Sequence, residues 1–305
     1  YANTTASFNT GVGQNTLETN TTGASNVAVG RAALKANTTA SNNTAVGFEA
    51  GNDVTTGSGN TLIGALVGDS LTDSVANVAV GGDGTYAALG ADTRGKFSTA
   101  IGFGALTAQN FTSVTDSGNT AVGYFAGGVN ATGKFNTYVG AVAGDDSDDG
   151  ENNVALGYAA LSANHGDGNT AVGKQALTAC TAAENTAVGS GAGSSLTSVS
   201  GGVFVGQHSG LFATTASNST FVGHSAGQGI TGAKLTGNDN TAVGTNAGLL
   251  LQGAGTTNTL IGKDAGKALT TNEQVTIVGA GAGSALTGSK NTLIGADSGN
   301  AITSG

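Results

Sequence analysis

Three histidines are the first residues to examine for chemistry, because imidazole is a common metal ligand and exchanges protons near neutral pH. They are His165, His208 and His224. His208 and His224 stand one period apart in the repeat described below, which predicts that they lie on successive turns and near each other. Two histidines without a positioned third ligand make a poor metal site. We therefore expect three ordinary surface histidines and no bound metal.

The acidic run Asp145–Glu151 is the strongest charge cluster, with five carboxylates in seven residues. Oxygen ligands this close together could hold Ca²⁺. The run lacks the ligand spacing of a calcium-binding loop, however, so it predicts a solvated acidic turn. Residues 81–86 resemble one unit of the calcium-binding nonapeptide repeat, but Tyr86 stands where that repeat has a ligand aspartate. The unit occurs only once, and it does not predict a metal site.

Candidate catalytic residues are sparse. Cleavage of a glycosidic bond needs a pair of carboxylates, and outside the acidic run only isolated acids such as Glu49, Asp69 and Asp73 are available. The glycine-rich segment 279–283 is not followed by the crossover helix that a dinucleotide-binding loop requires. Cys180 occupies an apolar position of the repeat and is interpreted as a small core residue. The sequence predicts no cofactor and no catalytic residue.

These residues are set within a repeat of the segment Asn119–Gly123, which reads Asn-Thr-Ala-Val-Gly. Each near-copy can be numbered from its closing glycine, the anchor, at position 0. The 17 anchors are Gly13, Gly30, Gly47, Gly64, Gly81, Gly102, Gly123, Gly140, Gly157, Gly173, Gly189, Gly206, Gly223, Gly244, Gly262, Gly279 and Gly295. Most lie 16 to 18 residues apart, and three intervals are 21 residues. A short period with insertions indicates a solenoid, so we predict an all-β fold, a β-solenoid of the left-handed β-roll type.

Alternation within the repeat predicts a short strand before each anchor. Position −1 is always Val, Ile or Leu and position −3 is always Thr or Val, which are residues that favour a pleated strand. The two positions share a face, and we predict that this face forms the core. The predicted core ladder at −1 comprises Val12, Val29, Val46, Ile63, Val80, Ile101, Val122, Val139, Leu156, Val172, Val188, Val205, Val222, Val243, Ile261, Val278 and Ile294. Asn at −4, present in 13 copies, suits a turn and can stack into a ladder.

After each anchor, a small residue stands at +3 and one large aliphatic group follows at either +4 or +7. Some turns have Gly at +4 and an apolar residue at +7, as in Gly51 with Val54, whereas others have Leu at +4, as in Leu34 with Asn37. The bulky group moves between two places rather than disappearing. This indicates one core site per turn that is filled from either position.

Position −2 bears on the oligomeric state. It points away from −1 and −3, yet it holds Ala in most copies and a large apolar residue in others. The large residues, which we predict form an inter-chain face, are Leu62, Tyr138, Phe204, Phe221, Leu260, Ile277 and Leu293. A strand that is apolar on both faces is buried on both, and so thin a coil has little apolar area to offset the entropy of ordering a turn. We predict a parallel homotrimer, and the alternative is a single solenoid with an apolar stripe.

Composition excludes several classes of partner. The 10 Lys and Arg residues are scattered singly in a chain of net charge −9, so no basic stripe is available for nucleic acid. No window approaches the roughly 20 apolar residues of a membrane helix, and we expect no membrane insertion. The absence of proline fits a chain that is nearly all ladder and turn.

The repeat runs through 1–305, and we predict a single continuous domain with longer turns near 82–118 and 228–239. Such insertions bulge from one face of a solenoid and are often its contact surface; drift at a solvent-exposed turn is the other interpretation. At about 4.8 Å of rise per turn, the repeats would make a rod on the order of 80 Å long. Because the chain begins at Tyr1 rather than Met, we expect it to be part of a longer protein.

The repeat Asn-Thr-Ala-Val-Gly-x-x-Ala-Gly/Leu resembles those of two groups of surface fibres. One is the left-handed β-roll head of trimeric autotransporter adhesins, whose turns are shorter. The other, to which the resemblance is closer, is the repeat shaft of phage tail fibres and related surface fibres. The resemblance covers nearly the whole chain. It implies an extracellular homotrimer, in a virion tail fibre or a cell-surface appendage, whose work is display and adhesion.

The leading hypothesis is therefore a non-catalytic fibre segment, a rigid trimeric rod that displays a tip for a cell-surface glycan or protein receptor. Local binding would use exposed side chains just after the anchors, Phe48, Phe103, Tyr124 and Tyr158, together with the long-turn loops. The first alternative is a depolymerase of surface polysaccharide. The second is a monomeric ice- or mineral-binding solenoid. A flat, outward threonine array would support the second, but the predicted inward position of Thr at −3 disfavours it.

Overall fold

A computed structural model describes residues 4–302, so both ends of the predicted domain, residues 1–3 and 303–305, lie outside the described residues. Two compact units make up the chain, Tyr1–Asn153 and Val154–Gly305. That 1–305 forms one domain stays a prediction. All the regular elements of residues 4–302 are β-strands. Within this described part of the chain, no helical segment has the length and apolar character needed to cross a membrane.

Each unit is built from short strands. The first unit contains β1 (Thr10–Val12), β2 (Val27–Val29), β3 (Thr44–Val46), β4 (Thr61–Ala65), β5 (Val78–Asp83), β6 (Gly95–Lys96), β7 (Thr99–Ile101), β8 (Thr115–Asp116), β9 (Thr120–Val122) and β10 (Thr137–Val139). The second unit contains β11 (Val154–Leu156), β12 (Thr170–Val172), β13 (Thr186–Val188), β14 (Val203–Val205), β15 (Thr220–Val222), β16 (Thr241–Val243), β17 (Thr259–Ile261), β18 (Thr276–Val278) and β19 (Thr292–Ile294). Apart from β6 and β8, every strand begins at position −3 of a repeat, which confirms the predicted strand.

Consecutive repeat strands within each unit pair in parallel and in register. Thr44 in β3 pairs with Val27 in β2 and with Thr61 in β4. In the second unit, Thr170 in β12 pairs with Thr186 in β13. Position −3 therefore stacks on −3, and −1 stacks on −1. The result is a parallel β-solenoid with about 17 turns in the two units taken together, as the repeat predicts.

Each repeat strand leads into an anchor glycine, where only glycine fits. The anchors adopt φ angles between 109° and 146°, a region that residues with a Cβ avoid. A Cβ on Gly13 would lie 2.6 Å from the carbonyl oxygen of Gly30 on the next turn. Every anchor therefore has a positive φ, and at most anchors the close approach of the next turn's backbone is a second condition that favours glycine.

The asparagines at −4 form a ladder inside the coil. The amide oxygen of Asn26 accepts a hydrogen bond from the backbone N–H of Asn43 at 2.9 Å, and the amide nitrogen of Asn43 donates to the carbonyl oxygen of Gly57 at 2.9 Å. Asn60 repeats the first bond on Asn43 at 2.8 Å. These asparagines are buried, and an unpaired buried polar group costs about 1–3 kcal/mol. The ladder supplies the partners and confirms the stacking that the sequence predicts.

The interior of the solenoid lies on the opposite side of the strands from the side predicted. The side chain at −2 is buried in every repeat strand from β2 to β18. The predicted inter-chain face is therefore wrong, because its side chains lie in the core of their own chain. Fully buried are Leu62, Tyr138, Phe204, Phe221, Leu260 and Ile277, and Leu293 in the last turn is half-buried.

The predicted core ladder at −1 is wrong in the same way, because each of its side chains is half-buried or exposed. They are Val12, Val29, Val46, Ile63, Val80, Ile101, Val122, Val139, Leu156, Val172, Val188, Val205, Val222, Val243, Ile261, Val278 and Ile294. Alternation along a strand shows only that −1 and −3 share a face. Both faces are apolar, so alternation does not say which one points inward.

The inward direction of −2 follows from the space that it shares with +4. Wherever −2 is large, +4 is glycine, as in Leu62 with Gly68 and Leu260 with Gly266. A Cβ on Gly68 would lie 2.9 Å from Leu62 Cδ2, and one on Gly266 would lie 2.8 Å from Leu260 Cδ2. Where +4 is leucine, as at Leu106, −2 is Ala or Gly. The core volume is therefore shared among −2, +4 and +7, and not between +4 and +7 alone as predicted.

The two long-turn regions leave the regular coil in different ways. In the region near 82–118, β5 continues to Asp83, and the two-residue strands β6 and β8 pair with each other in parallel. In the region near 228–239, the inserted segment returns to the core at Leu235, which is buried, while Ile230 stays 37% exposed. Both insertions keep the core of their turn filled.

Candidate functional site

The side chains at −3 and −1 form the outer face of the sheet in each unit. Position −3 is Thr in 13 turns and Val in four, so neither row carries a charge. Ile63 is 40% exposed and Leu156 is 45% exposed. Because the strands pair in register, like side chains stack about 4.8 Å apart, and the two rows lie about 6.6 Å apart along the strand. Each outer face is a regular, uncharged array of hydroxyl and aliphatic groups.

The threonine hydroxyls of the outer face differ from those elsewhere in the turn. At +8, the Thr38 hydroxyl donates to the carbonyl oxygen of Thr55 at 3.1 Å, and the Thr55 hydroxyl donates to that of Thr72 at 3.1 Å. Among residues 4–302, no outer-face threonine makes a side-chain hydrogen bond to the chain. The outer hydroxyls are open to water or to a partner molecule.

Four aromatic side chains gather next to the outer face in the first unit. Tyr86, Phe103 and Tyr124 come from three successive turns, with ring centroids 5.5 Å apart for the first pair and 5.7 Å for the second. Phe125 meets these three rings edge-on, at 5.0, 5.6 and 4.8 Å respectively. We call these four residues the aromatic ladder. Tyr86 is 43% exposed and Tyr124 is 55% exposed, so the ladder presents ring surface to solvent.

A depression of about 360 Å³ lies beside the segment that carries Tyr86, because the residues on either side of Tyr86, Thr85 and Ala87, both line it. Asp69, Ser70, Thr85 and Thr107 contribute to its lining, and Thr85 directly precedes Tyr86. Burial and, to a smaller extent, the neighbouring carboxylates raise the pKa of Asp69 to about 6. The depression therefore offers hydroxyl groups and a carboxyl group that changes protonation state near pH 6.

The structure brings together two of the four aromatic residues predicted for local binding. Phe103 and Tyr124 are neighbours in the aromatic ladder. Phe48 lies elsewhere, with the guanidinium carbon of Arg31 at 5.2 Å from its ring centroid, a cation–π contact. Tyr158 belongs to the second unit and is exposed. Phe48, Tyr124 and Tyr158 are therefore exposed as predicted, whereas Phe103 is half-buried, and only one pair forms a common surface.

Sequence reasoning missed the two other members of the ladder. Tyr86 belongs to the irregular segment after Gly81, where the repeat predicts no neighbours. Phe125 stands at +2, beside Tyr124, and the repeat does not distinguish it from other +2 residues. The available signal was the concentration of aromatic residues near the corners of three consecutive turns.

The histidines and the cysteine form no common centre. The rings of His208 and His224 lie 6.3 Å apart on successive turns, as predicted. His165 is buried, with Nδ1 at 3.1 Å from the carbonyl oxygen of Gly166, so the prediction of a surface histidine is wrong there. Burial lowers the pKa of His165. Cys180 is buried, as predicted. Across residues 4–302, no three His, Cys, Asp or Glu side chains are grouped so that they could hold a metal ion.

The acidic run is mostly solvated. Asp146, Asp148 and Asp149 are exposed, whereas Asp145 is half-buried. Burial and, to a smaller extent, the negative charge of Asp146 raise the pKa of Asp145 to about 6. The Oδ1 atom of Asp145 is buried without a hydrogen-bond partner. The exposed members fit the predicted acidic turn, and Asp145 is the exception.

A buried polar network in the long turns of the first unit was not predicted. Ser98 replaces the usual Asn at −4, and Gln109 from the same turn occupies the vacated space. Gln109 Nε2 donates to Asp92 Oδ2 at 2.7 Å, and Asn119 Nδ2 donates to Gln109 Oε1 at 2.9 Å. The Gly95 N–H donates to Asp92 Oδ1 at 3.1 Å. Burial raises the pKa of Asp92, while these hydrogen bonds oppose the rise. The network replaces the missing rung of the asparagine ladder.

No protein-family model matches the chain, and no match was found among curated proteins or solved structures. Its resemblance to fibre and adhesin repeats is therefore carried by the repeat alone. The two features that bear on function are the outer face of each unit and the aromatic ladder with its adjoining depression.

Proposed function

We propose that the chain is a non-catalytic, structural or adhesive fibre segment whose outer face is covered by further copies of itself in a parallel homotrimer. The observation that supports this proposal is the uncharged, regular outer face. A sheet face in contact with water usually carries polar and charged side chains. Exposed apolar patches mark interaction surfaces. Here rows of Thr, Val, Ile and Leu continue through each unit without a single charged residue.

Other copies of the chain suit this surface for a geometric reason. The rows are parallel and in register, so a copy related by an axis along the ladder presents the same rows at the same spacing. Each turn then meets an equivalent turn, as closed symmetry requires. The repeats resemble those of trimeric, left-handed β-rolls, and this resemblance favours a trimer of left-handed solenoids. We place such an assembly outside the cell, in a virion tail fibre or cell-surface appendage with a glycan or protein receptor.

The molecular mass in solution tests the proposal. We expect a single species with three times the chain mass of 29.0 kDa. Lysines in place of Val122 and Val139, on adjacent turns of the outer face, should produce monomers, because like charges from all copies would be buried together. The matched control is Val129→Lys, an exposed apolar residue in the turn after Val122 and outside the outer face. A monomeric wild-type chain at all concentrations would refute the trimer.

A second candidate function, an ice- or mineral-binding monomer, is favoured by the threonines of the same face. The structure directs Thr at −3 outward, which removes the argument raised against this candidate. Rows of hydroxyl and methyl groups at fixed spacing could order water or match a crystal surface. The monomer should then inhibit ice recrystallisation, and Thr120→Lys should weaken the inhibition. One face cannot serve both functions at once, so the mass measurement also separates the two candidates.

A further inference from the structure

The aromatic ladder holds two exposed rings, Tyr86 and Tyr124, and two half-buried rings, Phe103 and Phe125, in a fixed arrangement. The planes of Phe103 and Tyr124 differ by 10°, so these two rings are stacked. Phe125 packs against both rings and Tyr86 at interplanar angles of 67° to 76°, the edge-to-face geometry that aromatic pairs prefer. The exposed rings are therefore ordered before any ligand arrives, which reduces the entropy lost on binding.

The packing of the rings excludes an aromatic cage. A cage for a quaternary ammonium group surrounds the cation with ring faces. In the ladder, centroid distances of 4.8 to 5.7 Å place the rings in contact with one another. No space is left between them for a cation. A ligand must lie across the exposed side of the ladder, and so it must offer an apolar face.

The charge beside the ladder excludes a polyanion. Asp69 lines the depression, and Asp83 Oδ1 accepts a hydrogen bond from the Thr85 N–H at 3.2 Å, which places both carboxyl groups near Tyr86. The whole chain carries a net charge of −9. Nucleic acids and acidic polysaccharides bind where Lys and Arg neutralise their charge. The ladder therefore suits an uncharged ligand.

The depression adds polar partners to the apolar surface. Ser70, Thr85 and Thr107 supply hydroxyl groups, and Asp69 supplies a carboxyl group. Its volume of about 360 Å³ falls within the range of small-molecule sites, where a few polar groups fix the orientation of a ligand. A pyranose ring has the matching chemistry, because it combines an apolar C–H face with hydroxyl groups at its rim.

We propose that the aromatic ladder and the depression bind a neutral glycan. The C–H faces of its sugar rings lie on the exposed surfaces of Tyr86 and Tyr124, and the hydroxyl groups of a neighbouring sugar bond to the lining of the depression. This binding site deepens the adhesive role proposed above by naming its receptor class, and it rests on that role only for its biological setting.

Calorimetric titration of the full chain tests the site with two probes, the hexasaccharides of β-1,4-linked glucose and of β-1,4-linked N-acetylglucosamine. At least one should bind, and a polyuronate should not. Tyr124→Ala should weaken the binding at least about tenfold, since aromatic side chains dominate such contacts, whereas Tyr124→Phe should retain it. Tyr158→Ala removes an exposed tyrosine from the same repeat position outside the ladder, so it should bind as the wild type does.

Two results would overturn the site: no binding of either hexasaccharide at millimolar concentration, or an equal loss in Tyr158→Ala. Shorter sugars in the cell after titration would instead overturn the non-catalytic role, because they would indicate a depolymerase that binds the glycan and cleaves it. Molecular mass and circular dichroism of every variant separate binding from folding and assembly. A trimer that binds neither sugar refutes the glycan site and leaves the fibre. A monomer with ladder-dependent binding refutes the trimer and leaves the site.

Discussion

The inner row at −2 and the outer row at −1 lie one residue apart in every repeat strand, yet they follow opposite rules. The inner row ranges in size from Ala28 to Tyr138 and Phe204, and all three of these side chains are fully buried. The outer row is Val or Ile in every turn but one, Leu156, although its side chains remain partly exposed. The more exposed row is therefore the more uniform of the two in residue type.

The difference arises because the inner row is compensated within its own chain. A large −2 residue such as Phe204 lies against glycine at +4, Gly210, and a small one such as Ala100 leaves room for Leu106. The outer row has no residue of its own chain opposite it, so changes in its size cannot be compensated in the same way. The outer row nevertheless keeps nearly the same side-chain size in every turn. Such a regular surface suits contact with another regular surface, and the proposed contact between copies of the chain is based on this.

Truncation of one side chain from each row should have the largest effect and sharpen the comparison. Phe204→Ala should lower the free energy of unfolding by about 3–5 kcal/mol, because it leaves a cavity that no side chain of Gly210 can fill. Val205→Ala, the next residue, should cost on the order of 1 kcal/mol. Urea unfolding followed by circular dichroism measures both, at several protein concentrations to separate assembly from folding. Equal losses would contradict the assignment of inner and outer rows.

An exchange of volume within one turn should break the rule that separates −2 from +4. Ala100→Leu alone overpacks the core at a cost of about 1–3 kcal/mol, and Leu106→Gly alone leaves a cavity. Together they recreate the Leu–Gly arrangement of other turns, and Gly readily adopts the φ of 48° that Leu106 has. The double variant should therefore be more stable than the sum of the single changes by about 1–3 kcal/mol.

The control for this exchange combines Ala100→Leu with Leu161→Gly, a +4 leucine of the second unit. Those two sites do not share a core position, so their effects on the urea midpoint should add. Additive behaviour of Ala100→Leu with Leu106→Gly would show that the two positions do not share one site.

The relation between residue sizes at −2 and +4 can be read from the sequence, and it contradicts the prediction that −2 faces another chain. Each large −2 residue, Leu62 for example, has glycine at +4, a correlation that only a shared interior site explains. The anchors, the short strands and the asparagine ladder were predictable because each has a local cause in turn geometry or residue preference. The inward face was not predictable from alternation, because both rows are apolar.

The candidate site was less predictable than the fold, because it depends on insertions. Phe103 and Tyr124 could be placed on the surface from their repeat position. Tyr86 and the depression beside it arise where β5 extends to Asp83, and no period describes that path. The buried Asp92 likewise finds Gln109 only once the long turns have formed. Such contacts are set by tertiary structure and not by local preference.

Removal of one hydroxyl that is hydrogen-bonded within the chain, and of one that is not, from the same turn should have a smaller effect. Thr55→Val loses the hydrogen bond to the Thr72 carbonyl and should cost about 1 kcal/mol. Thr44→Val, on the outer face, loses no bond within the chain and should stay within about 0.5 kcal/mol of the wild type. Both substitutions replace a hydroxyl group by a methyl group, so the difference between the two thermal midpoints reports the effect of the hydrogen bond. A larger loss for Thr44→Val would indicate that the outer hydroxyls are engaged in the assembly.

Asp69 stands at +5 and is half-buried, so its environment is intermediate between those of the inner and outer rows. Removal of its titration should have the smallest effect on stability. Burial raises its pKa from 3.8 to about 6, so between about pH 4 and pH 6 the folded chain holds more protons than the unfolded chain. Its contribution to stability is present at low pH and is lost as pH rises through 6. Solvent screening limits that contribution to less than about 1 kcal/mol.

Asp69→Asn keeps the shape of the protonated side chain and removes its titration. The fall in thermal midpoint between pH 4.5 and pH 7.5 should therefore be smaller in Asp69→Asn than in the wild type. Asp116→Asn changes an exposed carboxyl group of the same unit and should leave that fall unaltered. If the two variants behave alike, the carboxyl group of Asp69 is as solvated as that of Asp116. The depression would then lack the partly buried acid that the glycan site is expected to use.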